Sequence, residues 1–336
     1  MKKTVESIDL AKFIASIFVF ATHCKFLSDY KNLQAIPSLA SRWTVPFFFV
    51  CSAYFLFSKS KDGNIEKDRL YGYIKRIGAL YAVWFVYNIP SMYFRNFWQN
   101  DLSAISTWLV FLKKTVLASS FKASWYLASS IFSAWFVYIL SKKFHTKTVM
   151  GLTFVLYLFC VVSSVYQGLA PASVSKILDF LCFPRNIFYG CFFFAIGKYV
   201  SENLEGIIRV FDKKRSFIGF AAAYLLLFAE LILAKRFHYY GGTDAAFSTV
   251  LMPVPLFLFC LQTEVKIKNS GLLRKLSTII YCAQGNVLLV NDYCKGVLRI
   301  PSIPSFLISS VVTAIVCVIV LYIQKNKKWS WTQYLT

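Results

Sequence analysis

A helix that crosses a bilayer needs roughly 20 mostly apolar residues in a row, and this chain repeats that pattern along its whole length. Ten such stretches lie near 8–27, 40–57, 76–94, 124–141, 148–166, 182–200, 216–234, 247–262, 276–292 and 303–324, separated by charged or turn-rich segments. Composition agrees: 57% of the 336 residues are hydrophobic and 15% are charged, against about 25% charged in ordinary globular chains, and the mean hydropathy is +0.56. A cytosolic enzyme, a disordered tail, a collagen-like fibre and a small disulfide scaffold are excluded. The pattern predicts an all-α polytopic membrane protein, one integral-membrane domain over 1–336 with about ten transmembrane helices. Pro46, Pro90, Pro184, Pro253 and Pro255 interrupt the stretches without vetoing them, since neighbouring helices satisfy freed backbone groups.

The formal charge of +22 would suggest nucleic acid on a soluble protein, so its distribution decides its meaning. With the N-terminus inside, the ten-span arrangement places 23 of the 37 basic residues in cytoplasmic segments and 13 on the opposite side, with Lys12 inside the first span. That asymmetry obeys the positive-inside rule. It predicts cytoplasmic N- and C-termini, a multi-pass protein of the bacterial cytoplasmic membrane, and no nucleic-acid partner. The opening Met-Lys-Lys and apolar run resemble a cleaved leader. Asp9, Lys12 and His23 break that pattern, and nine further spans follow.

Residues 101–119 are too polar to span. Leu102, Ile105, Leu109, Leu112 and Val116 nevertheless recur at helical spacing, with Lys113 and Lys114 on another face. This predicts an amphipathic helix on the outer surface, lying in the lipid interface or capping the bundle. The nine cysteines stand singly, mostly in apolar runs, and read as small hydrophobes. No Cys/His cluster has metal-ligand spacing, so no metal is expected.

Ionisable groups inside spans cost about 2.5–3.5 kcal/mol each on insertion scales, so each invites a function. The first span carries Asp9, Lys12 and His23. Lys12 and His23 are eleven residues apart, about 1,100° of helical rotation and roughly 16 Å of rise, which puts them on one face at different depths. Asp9 and Lys12, one turn apart, are expected to neutralise each other. His23 carries the side chain best suited to exchange a proton near neutral pH. Glu230 is expected to form an internal ion pair with Lys235 or Arg236 or, second, to serve a proton relay, and Arg185, at the outer end of the sixth span, to snorkel or to hold an anionic group of a ligand.

Asp-x-x-Lys followed by His resembles the first-helix signature of the acyltransferase-3 family, integral-membrane enzymes that O-acylate surface glycans and related acceptors; Lys12 stands where the family usually has arginine. Further blocks agree in order. Val45–Leu56 is similar to the family's Pro-Leu-Phe-Phe-x-x-Ser-Gly-Tyr-Leu, with Ala53 in the glycine position. Tyr73–Ile77 resembles its basic motif on the third helix, Ser124-Trp125-Tyr126-Leu127 its Trp-aromatic-Leu block, and Phe193–Lys198 its Phe-Phe-x-x-Gly element. Near the ninth helix the family commonly has Tyr-x-x-His, whereas this chain reads Tyr281-Cys282-Ala283-Gln284. Glutamine hydrogen-bonds but does not transfer protons.

The resemblance implies an acyl-CoA-dependent O-acyltransferase. Acyl-coenzyme A, most simply acetyl-CoA, would be the donor substrate, its phosphates held by Lys12, Lys75 and Arg76. His23 would be the catalytic base or a transient acyl carrier. Asp9, Trp125, Tyr126, Arg185 and Gln284 would support the site or face a glycan or other hydroxyl acceptor, with cell-envelope biosynthesis proteins as partners. Two other readings fit ten helices with a few buried charges: a transporter or flippase for an amino acid or lipid-linked sugar, and a scaffold or sensor within a surface-polysaccharide system.

Overall fold

The structure, a computed structural model, describes residues 5–58, 65–98, 103–117, 120–122, 124–169, 171, 185–237, 244–325 and 330–336. Among them there is no β-strand. The helices are α1 Glu6–Cys24, α2 Ile36–Ala40, α3 Thr44–Phe57, α4 Lys67–Tyr87, α5 Ile89–Asn96, α6 Ile105–Leu117, α7 Trp125–Ser141, α8 Thr146–Val162, α9 Arg185–Val210, α10 Lys213–Arg236, α11 Pro253–Leu261, α12 Ser270–Gly296 and α13 Ser302–Lys325. Among the described residues four segments are long and apolar enough to cross a membrane: α1, Ile36–Phe57, α10 and α13. Shorter apolar helices lie at Trp125–Ser141, Thr146–Val162 and Phe247–Leu261. Residues 101, 102, 118 and 119 of the expected amphipathic segment, residues 182–184 of the sixth expected span and His238 lie outside the described residues.

Burial in these helices is inverted relative to a water-soluble protein. In α13 the inward stripe is Ser302, Ser305, Ser309, Thr313 and Cys317, all buried, while Leu307, Val311, Ile315, Val318 and Tyr322 are exposed. In α10 Ser216, Ala223 and Ala234 are buried beside Leu227 and Leu231, whereas Phe217, Leu225, Leu226 and Ile232 face outward. Small residues inside and large apolar residues outside are what hydrocarbon as solvent selects, because close helix approach then supplies most of the packing energy.

The chain divides into two compact units. The first comprises residues 1–8, 42–75 and 126–265. Its centre is α3, almost wholly buried, against which α9 packs; α9 also packs on α8, and α10 on α11. Close approach of α3 and α9 depends on Gly197: a Cβ there would stand 2.6 Å from the Ala53 Cβ and 2.7 Å from the Val50 carbonyl oxygen. The expected span 247–262 starts differently, with a 3-10 turn at Phe247–Leu251 before α11 begins at Pro253. Proline favours the first helical position, and lacking an N–H it cannot extend the hydrogen-bond ladder of the turn before it.

The second unit comprises residues 9–41, 76–125 and 266–336. Within it α12 packs on α13 and on α5. The expected span 76–94 is broken: α4 ends at Tyr87, Asn88 follows, and α5 restarts with Pro90 in its first turn. Asn88 closes the break by donating its side-chain amide to the carbonyls of Trp84 (2.8 Å) and Cys282 (3.0 Å). α1 ends without glycine, on Lys25 in the left-handed region (φ 48°). Lys295 Nζ donates to the freed carbonyls of Cys24 (2.7 Å) and Lys25 (3.0 Å), satisfying a helix end that otherwise lacks partners. The start of α13 is capped from elsewhere in the chain: the Ser302 N–H donates to Asp29 at 2.6 Å, and that bond holds the Asp29 carboxyl below the usual carboxylate range.

Candidate functional site

The residues of the first-helix signature lie on one uninterrupted helix, α1, and three contacts fix its register on α12. Asp9 accepts two hydrogen bonds from Arg274, Nε at 3.0 Å and Nη2 at 2.7 Å. Ser277 Oγ donates to the Lys12 carbonyl at 3.0 Å, and Asn291 Nδ2 donates to the Cys24 carbonyl at 3.3 Å. The sequence offsets are 265, 265 and 267, and a near-constant offset with both numbers rising means the two helices run parallel.

Asp9 therefore has a partner other than the expected one. It is buried and clamped by the two-pronged guanidinium of Arg274. Planar, two-donor geometry matches a carboxylate better than a lysine ammonium does, and the pairing raises the Arg274 pKa above the ordinary arginine range.

Ser277, Gln284 and Asn291 are spaced by seven residues, about 700° of rotation and so 20° short of two turns, which places them in one stripe. Ser277 and Asn291 both touch α1, so Gln284 faces α1 midway between the levels of Lys12 and Cys24. Its side chain is completely buried, and neither amide atom has a hydrogen-bond partner among the described residues. The side-chain oxygen Oδ1 of Asn291, two turns on, is likewise unpartnered there. A buried unsatisfied amide is costly, about 1–3 kcal/mol, and such groups cluster where a protein keeps donors and acceptors for a ligand.

His23 occupies the last turn of α1, half-buried, beside the carbonyl held by Asn291 and Lys295. Lys12, also half-buried, lies three turns below on the same helix. The surroundings of the His23 end are cationic. Lys122 interacts electrostatically with Arg95, Lys25 and Asp292, and Lys295 with Lys25, Asp29 and Asp292. Burial depresses the Lys122 and Lys295 ammonium pKa values, and that of the Arg95 guanidinium. Arg95 and Lys295 stand in the last turns of α5 and α12 and Lys122 precedes α7; a basic residue at the edge of an apolar stretch carries no signal of its own in the sequence.

Lys75 and Arg76 are exposed on α4. As consecutive helical residues they leave the helix about 100° apart. Trp125 opens α7 and is half-buried; the side chain of Arg185, at the start of α9, lies outside the described residues.

In the first unit, three of the sequence blocks converge. The Phe49 ring lies 4.7 Å from that of Tyr126 and 5.9 Å from that of Phe194, and Gly197 meets Ala53. Tyr126 Oη is 2.8 Å from Ser52 Oγ and donates to the Phe48 carbonyl at 3.3 Å. Tyr126 is therefore a packing and hydrogen-bonding element of this unit. Glu230 departs from expectation: its carboxylate accepts from the backbone N–H groups of Phe247 and Ser248, both at 2.8 Å, from Ser248 Oγ at 2.5 Å and from Tyr166 Oη at 3.0 Å. It caps the 3-10 turn before α11, because backbone donors reach it with better geometry than Lys235 or Arg236 five and six residues further along its own helix.

Comparison with known proteins follows the same lines. The chain is similar to two proteins named amino-acid racemase from Enterococcus faecalis. One is 24% identical over 245 residues, covering 70% of this chain and 33% of the relative; the other is 26% identical over 178 residues, covering 50% of this chain and 24% of the relative. The chain thus spans a third or less of the length of these curated relatives. No solved structure matches it. The family model described as an acyltransferase domain, that of the acyltransferase-3 family, matches residues 5–322, nearly the whole chain. With its first-helix signature carried on α1 and its motif blocks in the matching order, this chain belongs to the acyltransferase-3 family.

Proposed function

We propose that the protein is a multi-pass O-acyltransferase of the cytoplasmic membrane, moving an acyl group, most simply acetyl, from acyl-coenzyme A on the cytoplasmic side to a hydroxyl of a surface glycan or related acceptor. Family membership supports acyl transfer. The single observation that carries the reading further is the register of α1 on α12, which sets Lys12, the unpartnered Gln284 amide and His23 at three successive depths of one unit. The racemase name belongs to proteins of which this chain spans a third or less, and no racemisation is proposed.

In the proposed step the acceptor oxygen bonds to the thioester carbonyl carbon while the His23 imidazole takes the hydroxyl proton. The C–S bond then breaks, and the thiolate leaves as free coenzyme A, with the proton returned from the imidazolium. Lys295, Lys122 and Arg95 provide positive potential around that end of α1, where negative charge develops on oxygen in the transition state. Gln284 orients the acyl or acceptor group by hydrogen bonding, and Lys12 attracts the donor's phosphates.

The test is release of free coenzyme A thiol by purified protein supplied with acetyl-CoA and a glycan acceptor. His23→Ala is expected to lower the rate at least a hundredfold while the protein still folds, in keeping with the usual contribution of a general base. An undiminished rate removes His23 from the mechanism. Movement of labelled substrate across liposomes without coenzyme A consumption would establish a carrier instead.

A further inference from the structure

Cations gather at the His23 end of the second unit against the trend that governs the rest of the chain. In the ten-span arrangement the outer segments of this unit, residues 22–41, 88–125 and 290–302, hold eight basic residues and three acids, although the positive-inside rule draws basic residues to the opposite side. Some of these charges serve the fold. Lys295 donates to the Cys24 and Lys25 carbonyls and to Ser28 Oγ, and Asp29 caps α13. Arg95 in the last turn of α5, Lys114 in the last turn of α6 and Lys122 just before α7 come from three different elements, and Arg95 interacts electrostatically with both lysines. Lys114 donates to Asn96 Oδ1 at 3.1 Å. Arg95 and Lys122 make no ion pair among the described residues. Like charges repel more strongly at the edge of a protein than in water, so their convergence is unfavourable until an anion offsets it. An uncharged group points the same way. Asn291, 2% exposed, holds the Cys24 carbonyl through Nδ2 and leaves Oδ1 unpartnered among the described residues, an acceptor suited to a hydroxyl.

We propose that the molecule carrying the acceptor hydroxyl is an acidic sugar, its carboxylate or phosphate set against Arg95, Lys114 and Lys122 and one of its hydroxyls donated to Asn291 Oδ1. The guanidinium offers two parallel donors to a pair of anionic oxygens, and the ammonium groups add point charges. The proposal rests on the reading of His23 as the base in acyl transfer: the anion anchors the acceptor near the imidazole and takes no part in the bond changes. A single bound anion leaves Arg95, Lys114, Lys122 and Lys295 in excess over it and Asp292, so the potential at the transition-state oxygen keeps its sign.

The experiment is calorimetric titration of the protein in phosphatidylcholine nanodiscs, without coenzyme A, with galacturonic acid, galactose 6-phosphate and uncharged galactose. At least one acidic sugar is expected to bind saturably and at least tenfold more tightly than galactose, and the tighter of the two identifies the acid. Arg95→Gln/Lys114→Gln should weaken that binding at least tenfold, while Lys114→Arg should retain it, which separates a lost charge from a lost fold. Lys31→Gln, on the same outer side, should leave it unchanged. Absent binding, equal binding of galactose, full binding by the double variant or an equal loss in Lys31→Gln overturns the proposal. The His23 reading is tested apart from this, since no donor is present. Acidic-sugar binding without thiol release from acetyl-CoA would end the acyl-transfer reading and leave the anion site standing; thiol release with the same KM for galactose and the acidic sugars would keep transfer and remove the acidic acceptor.

Discussion

Asp9 is a carboxylate buried to 4% exposure whose charge is met by a guanidinium that remains half in solvent. Breaking such a pair leaves the acid stranded, and two hydrogen bonds to a charged group are worth about 1.5–3 kcal/mol each in favourable cases. Exposure of Arg274 places the cost near the lower end. Arg274→Ala should therefore lower the thermal unfolding midpoint in detergent by several degrees, and adding Asp9→Asn should restore part of the loss. Additive losses in the single and double variants would show that the two groups do not act together. Gln284 poses the reverse case. Its amide satisfies nothing among the described residues, so Gln284→Leu should leave the midpoint unchanged or raise it, because an unpaired buried polar group is removed. Acyl transfer by the same variant should fall at least tenfold. A variant with reduced stability and full activity would make Gln284 a structural residue.

Helix packing turns on a few positions where a side chain is missing. Gly197 lets α9 approach the Ala53 methyl and the Val50 carbonyl. Gly197→Ala places a methyl group in space already occupied by backbone, and overpacking of this kind costs about 1–3 kcal/mol. Gly151, in the interior of α8, has nothing within 4 Å of the position a Cβ would take, so Gly151→Ala should gain up to about 1 kcal/mol through reduced backbone entropy. Chemical-denaturant midpoints of the two variants should move in opposite directions; a stabilising Gly197→Ala would show that α3 and α9 are not in van der Waals contact there. The contrast also explains what a single sequence discloses about elements. Apolar runs such as 303–324 are legible because hydrocarbon demands them over a fixed length. The break at Asn88 is not, because Asn88 is held by a carbonyl 194 residues away.

For the whole molecule, the charge asymmetry across ten expected spans yields a topology that labelling can check. The eight cysteines among the described residues are all buried, so in a Cys182→Ser background the folded protein should react little with a membrane-impermeant maleimide. Lys143→Cys and Lys266→Cys should be labelled only from the cytoplasmic side and Lys31→Cys only from outside; labelling of Lys31→Cys from the cytoplasm would invert the N-terminal orientation. Long apolar runs made the all-helical character visible, the ordered motif blocks carried the family resemblance, and the spacing of Lys12 and His23 pointed to α1. Pairings across long sequence distances stayed hidden. Nothing near Glu230 announces Phe247 and Ser248 as its donors, and Lys122 looks like any loop lysine until Asp292 and Arg95 stand beside it.

The clamp between α1 and α12 also sets a waiting time during biogenesis. At ribosomal rates of about 5–20 residues per second, roughly 13 to 53 seconds pass between synthesis of Asp9 and of the arginine 265 residues later. Throughout that interval the opening helix lacks the guanidinium that clamps Asp9 in the folded chain, so a chain that stops short of Arg274 leaves that carboxylate without its two-pronged partner.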